Sequence, residues 1–226
     1  MLQQVWTLCR HELRLWMHSV GRRAVLFVVP MLLTALFPAR LAGFSLAFVF
    51  SLATHLATSV MDERQAGTLR RLLVTPASRG AILLGKLLPH LLLAIVQLVV
   101  LFSVCSALFD VEMGDAPLAL GVVMVCAAAA VAGLGIIIAA LAKTKRQAYC
   151  ASAVLIVPIA IVSGCIAPPI TLPGIKYATP HYWALLGFQN VIVRGMGFFG
   201  VLLPCGVLLA FALACSIVGV QRFRFE

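Results

Sequence analysis

Asp62–Arg79 reads DERQAGTLRRLLVTPASR, the densest charged segment of a chain whose residues are 63% hydrophobic. A long apolar run lies on each side of it. A charged, helix-competent bend between two such runs reads as membrane spans joined on the water side. Asp62 and Glu63 suit the positive end of a new helix, and Arg70 and Arg71 sit toward its close. Thr75-Pro76 stops it, because the residue before proline disfavours the helical region. Leu69, Leu72 and Leu73 form an apolar ridge. The spacing predicts a short helix, charged on one side and greasy on the other, able to plug into a groove and pass on a push.

The composition agrees with a bilayer setting. The 226 residues carry only 11% charged side chains, against about 25% in soluble domains, and the mean hydropathy is +1.10. A formal charge of +10 invites a nucleic-acid reading. The basic residues sit between apolar runs and form no stripe on a soluble face, so they read as orientation signals and not as a nucleic-acid surface. The seven cysteines show no CxxC spacing and mostly lie inside apolar runs; they read as small packing residues, not metal or disulfide partners. The N-terminus shows no cleavable signal-peptide pattern.

Working outward, the first segment, 1–21, is an amphipathic helix. Leu2, Val5, Trp6, Cys9, Leu13, Trp16 and Val20 recur at helical spacing, with Gln3, Thr7, Arg10, Arg14 and His18 opposite. The pattern predicts a helix in the membrane interface. Six spans are expected, near Ala24–Phe37, Leu41–Met61, Ile82–Phe109, Pro117–Leu141, Gln147–Ala167 and Gly197–Gly219. The segment 168–196, broken by prolines and Gly174, is too long for a tight turn and too apolar for a solvated loop. It is expected to dip back into the outer leaflet. The fold class is therefore an all-α membrane protein, a single transmembrane domain over 1–226. Placing both termini in the cytoplasm gathers most Lys and Arg inside and leaves Arg40, Lys176 and Arg194 outside.

Catalytic patterns fail one by one. Gly80-Ala-Ile-Leu-Leu-Gly85-Lys86-Leu87 nearly spells a phosphate-binding loop, but Leu87 stands where a Ser or Thr would hold magnesium, and no strand precedes it. Lys86 reads instead as an anchor at the inner end of the third span. No HExxH occurs, and Ser163-Gly164 lacks a serine-nucleophile context. His55 and His90 are isolated on apolar stretches, while His181, Tyr182 and Trp183 read together as an interface anchor. The fourth span is dense in small residues, from Ala127 to Ala140, on more than one face; ordinary close packing explains it. Span interiors hold neutral groups such as Gln97 and no carboxylate, which argues against ion-driven pumping. The missing charge rings and filter loops argue against a passive channel. A transporter with neither engine must borrow energy from a partner.

Glu63-Arg64, Gly67-Thr68-Leu69, Leu72-Leu73 and Thr75-Pro76, followed by Ile82–Lys86, resemble the permease subunits of type-2 ABC exporters. A second match is Ser163-Gly164, Pro168-Pro169, Thr179-Pro180-His181-Tyr182-Trp183-Ala184, and Asn190 through Arg194-Gly195. The resemblance implies a six-span permease of the bacterial inner membrane with an N-terminal connecting helix and a coupling helix within 62–79. It further implies a cytoplasmic ABC ATPase partner that carries ATP and magnesium, a second permease, identical or not, and outer re-entrant helices. No cofactor is expected on the chain itself. Only Pro38-Ala39-Arg40 separates the first two spans, so a large external domain there is excluded. The compact first half is also similar to the haem-exporter B subunits of cytochrome c maturation, the alternative reading. The expected mechanism is alternating access, with a pathway lined by Phe48, Thr54, His55, Thr58, Ser152 and Ile156 for an amphipathic or lipophilic cargo.

Overall fold

The computed structural model describes residues 2–17, 21, 24–37, 40–74, 78–109, 113–166 and 174–223, and among these no strand occurs. Helix α1 is Leu2–Met17. A π-helical turn, Ala24–Val28, runs into α2, Val29–Leu36. Then follow α3 (Leu41–Gln65), α4 (Thr68–Leu73), α5 (Arg79–Phe109), α6 (Pro117–Leu141), α7 (Lys145–Val162), α8 (Pro180–Ile192) and α9 (Leu202–Arg222). Single 3-10 turns, Ile175–Ala178 and Phe198–Val201, precede α8 and α9.

Among the described residues, five helices are long and apolar enough to cross a membrane: α3, α5, α6, α7 and α9 with its preceding turn. The expected first span is shorter, a five-residue π turn and an eight-residue helix. Pro30 explains part of this. It has no N–H to give the Leu26 carbonyl four residues back. Gln97 of α5 supplies the missing donor, its Nε2 lying 2.8 Å from Leu26 O. In an apolar interior an unpaired carbonyl is costly, so Gln97 pins the π turn to α5. The variant Gln97→Leu is expected to lose about 1–3 kcal/mol of stability, read as a lowered apparent melting temperature of the purified protein.

Helix α6 forms the centre. Of its most apolar stretch 78% is buried, against 22% for α7. It packs chiefly on α9 and α3, and α3 in turn meets α5, α7 and α8. The small residues make this possible on two faces at once. A Cβ on Gly133 would lie 2.8 Å from the Ala212 carbonyl of α9, and one on Gly135 would lie 2.6 Å from Leu56 of α3. Close packing within the chain thus accounts for the density of small side chains.

Local signals set the other boundaries. Thr144 accepts from the Gln147 N–H at 3.2 Å, and Gln147 Oε1 accepts from the Lys143 N–H at 2.9 Å. These two caps, with Thr144 at the N-cap, start α7 at Lys145, two residues before the span expected from hydropathy. Helix α7 ends at Val162, short of the expected Ala167, and turns at Gly164 with φ of 85°. Thr179 caps α8 and Pro180 opens it, the pairing favoured at helix starts.

Candidate functional site

The bend within 62–79 departs from its sequence reading first in where its helix begins. Asp62 and Glu63 do not open a new helix; they lie in the last turns of α3, which runs on to Gln65. Nothing before Gly67 breaks the helix. There the chain adopts φ of 69°, a left-handed turn that glycine makes without strain. The Gly67 N–H meets Arg64 O at 3.1 Å, and Thr68 Oγ1 donates to Glu63 O at 3.1 Å. Helix α4 then begins at Thr68 and runs six residues.

Several predicted coupling residues turn toward the chain itself. Leu69 is 1% exposed and belongs to the apolar core, so it seats α4 against the bundle. Arg64 donates from Nη1 to Ala142 O at 3.3 Å, at the carbonyl end of α6, and its guanidinium lies 4.9 Å from the Phe223 ring centre. A cation suits that negative helix end. Asp62 pairs with Lys145 at 2.8 Å, on the surface. Thr68, Arg71 and Val74 remain exposed. Leu72 and Leu73 lie on α4, whereas Thr75 and Pro76 fall outside the described residues.

Glu63 joins a buried ion cluster that sequence reasoning missed. Lys86 of α5 donates to Glu63 of α3 and to Glu12 of α1. Ser59 Oγ donates to Glu12 Oε2 at 3.1 Å, and His90 Nδ1 lies 3.0 Å from Lys86 O. Burial alone would raise the Glu12 carboxyl pKa. Attraction and hydrogen bonding from Lys86 overcome it and hold Glu12 below the ordinary carboxylate range. The one available signal was that Glu12 is the only acidic residue before Asp62. The Gly80–Leu87 run is continuous helix within α5, with Lys86 committed to two carboxylates, so no phosphate cradle forms there.

Of the expected pathway residues, Phe48, Thr54 and His55 are half-buried, while Thr58, Ser152 and Ile156 are buried. Thr58 Oγ1 donates to its own helix at Thr54 O, 2.9 Å away. Ser152 and Ile156 share with Ala148 and Ala160 the buried face of α7, and α3 is the helix α7 chiefly packs on. Tyr149, Val154 and Val157 occupy its exposed face. A cavity of about 360 Å³ opens elsewhere, between α5 and α6, lined by Phe102, Ser103, Ser106, Met113, Leu120 and Met124.

The outer segment also divides differently from its reading. Tyr182 and Trp183 cluster with Tyr177, and the Lys176 ammonium lies 5.0 and 5.3 Å from the Tyr177 and Tyr182 ring centres. His181 leaves that cluster. It is fully buried and stacked on Phe50 with ring centres 3.7 Å apart. Neither ring nitrogen has a hydrogen-bond partner among the described residues. The variant His181→Phe keeps the stack and removes two orphaned polar atoms, so it is expected to gain about 1–3 kcal/mol, measured by thermal unfolding. At the other end of α8, Asn190 donates to Gly200 O and accepts from Arg194, both at 2.7 Å. The bond to Gly200 ties α8 to the turn that precedes α9.

Spanning helices around α6, with ion pairs gathered beside one capped bend, define a multi-pass helical membrane protein. The chain belongs to the ABC-2 type transporter family, whose model matches residues 3–193. It is 30% identical over 189 residues to the linearmycin resistance permease protein LnrN of Bacillus subtilis, covering 82% of this chain and 49% of that one. It is 28% identical over 141 residues to the "Probable multidrug ABC transporter permease YbhR" of Escherichia coli, covering 60% and 38% respectively. The chain thus spans about half the length, or less, of these curated relatives.

Proposed function

We propose that this chain is the membrane-spanning part of an ATP-driven exporter, moving an amphipathic or lipophilic cargo outward. The carrying observation is the capped bend itself. A short helix leaves the end of α3 through Gly67, is seated by Leu69, and presents Thr68 and Arg71 to water. Such an element, packed against α3 and seated in the core by Leu69, can convert a push at α4 into a tilt of α3. Membership of the ABC-2 type transporter family and the permease names of its relatives support this reading. ATP and magnesium belong to a separate cytoplasmic ATPase that docks on α4, and the two expected copies of this chain meet in the inner membrane.

Both termini face the cytoplasm in this reading, with the Ala24–Leu36 segment as the short first span and α1 in the inner interface. Helix α8 is the returning half of an outer re-entrant pair. Its His181 end stacks on Phe50, about 13 Å along α3 from Leu41 at ~1.5 Å per residue. Its other end reaches the outer turn at Gly114, where a Cβ would lie 2.6 Å from Val191 O. Linearmycin resistance and multidrug transport, in the names of the relatives, favour a drug-like cargo. The face of α7 with Tyr149, Val154 and Val157 is open to a second copy or to cargo.

The decisive test leaves Leu69 in place and replaces Arg70→Glu, Arg71→Glu, Leu72→Ala and Leu73→Ala together. Co-purification with an ATPase subunit carrying its nucleotide motifs, from the native host, is expected to fall at least about tenfold, a loss of ~1.4 kcal/mol or more in docking. Undiminished ATPase recovery and ATP-driven transport in that variant refute α4 as the docking element.

A further inference from the structure

Glu12, Glu63 and Lys86 come from three separate segments and meet at the base of the bend. Their side chains are 8%, 19% and 3% exposed respectively. Glu63 stands where α3 enters the bend, and Lys86 stands one helical stretch after α5 leaves it. Their ion pair closes the base of the loop that carries α4. Glu12 then adds α1 as a third limb, held from its second oxygen by Ser59 of α3. Next to Lys86, Gly85 admits α1 so closely that a Cβ there would lie 2.7 Å from Leu8.

The charge composition is informative. One carboxylate would neutralise Lys86 and bury less charge, so a mere staple needs only Glu63. The second carboxylate comes from α1, a separate helix packed on α5, and ties it to the two helices that flank the bend. We infer that Glu12 is a positioning residue of the transport cycle, clamping α1 to the coupling bend so that α1 and α4 move as one body. This rests on the reading of α4 as the ATPase docking element.

The test uses the full permease–ATPase complex in lipid nanodiscs, with Cys150 replaced by serine. Spin labels at Arg10→Cys on α1 and Arg71→Cys on α4, diluted to one labelled copy per complex, report the distance between the helices. It is read without nucleotide and with ATP and vanadate. The clamp predicts one distance, the same in both states. With Glu12→Gln, a second, decoupled distance is expected under ATP and vanadate, its population raised about tenfold. Glu12→Asp is expected to restore the single distance, which a role in bulk stability alone does not predict. An unchanged single distance in Glu12→Gln overturns the clamp, as does a shift in the parent protein. Labels at Arg71→Cys on both copies check the underlying reading separately. If their separation ignores ATP, α4 is no coupling element and the clamp falls with it; if it changes, the Arg10–Arg71 distances judge Glu12 alone.

Discussion

Replacing Lys86 with methionine is expected to destabilise this protein by about 3–5 kcal/mol, the usual cost of breaking a buried ion pair from one side. The substitution keeps most of the side-chain volume and removes the ammonium. It leaves Glu12 and Glu63 buried together, with Ser59 the remaining donor shown on Glu12. Like charges so placed repel, and the Glu12 carboxylate cannot regain full hydration without moving α1 off α5. The measurement is the apparent melting temperature in detergent, together with the accessibility of Cys9, which is buried on α1. The triple neutral variant, Glu12→Gln with Glu63→Gln and Lys86→Met, should recover much of the loss, since no unpaired charge remains. If Lys86→Met and the triple variant melt together near the parent temperature, the cluster contributes nothing to holding the helices.

A second large effect is expected at Gly133. A Cβ there would sit 2.8 Å from Ala212 O and 3.1 Å from Ala212 Cα, both backbone atoms that no rotamer change can move. Gly133→Leu must therefore push α6 and α9 apart along the principal contact of the bundle. Overpacking of this kind costs about 1–3 kcal/mol and at times more. Here it also separates α9 from the central helix, so loss of monodisperse protein on size-exclusion chromatography is the expected readout. Gly121, on the same helix, has open space for 4 Å around the point where a Cβ would stand. Gly121→Ala should be tolerated or slightly stabilising, because alanine is the better helix former. Equal tolerance of both substitutions contradicts the close α6–α9 approach.

Much of this was legible in the chain. The fourth span ran from Pro117 to Leu141 in the hydropathy pattern and does so in the fold, because proline starts it and the charged residues after Ala142 end it. A bend was expected within Asp62–Arg79 and a bend is there, but it turns at Gly67, which the sequence reading had placed inside the short helix. The sequence misplaces the start of α4 because acidic residues at Asp62 and Glu63 look like a helix opening. Their partners, Lys145 and Lys86, are too far along the chain for any local pattern to reveal them. That Pro30 has no N–H to give is written in the chain, but the Gln97 side chain that satisfies the freed carbonyl is not.

By itself, the sequence determined that the chain is built of apolar helices of spanning length, that proline and glycine interrupt them, and that a charged bend joins two of them. Those are consequences of local composition, of proline and glycine backbone limits, and of the cost of charge in hydrocarbon. Tertiary structure alone decided that Glu12 and Glu63 share Lys86, that Leu69 faces inward, and that His181 lies on Phe50 and not at the interface. Each depends on which helix faces meet, and packing across segments distant in the chain leaves no periodic trace in any one of them.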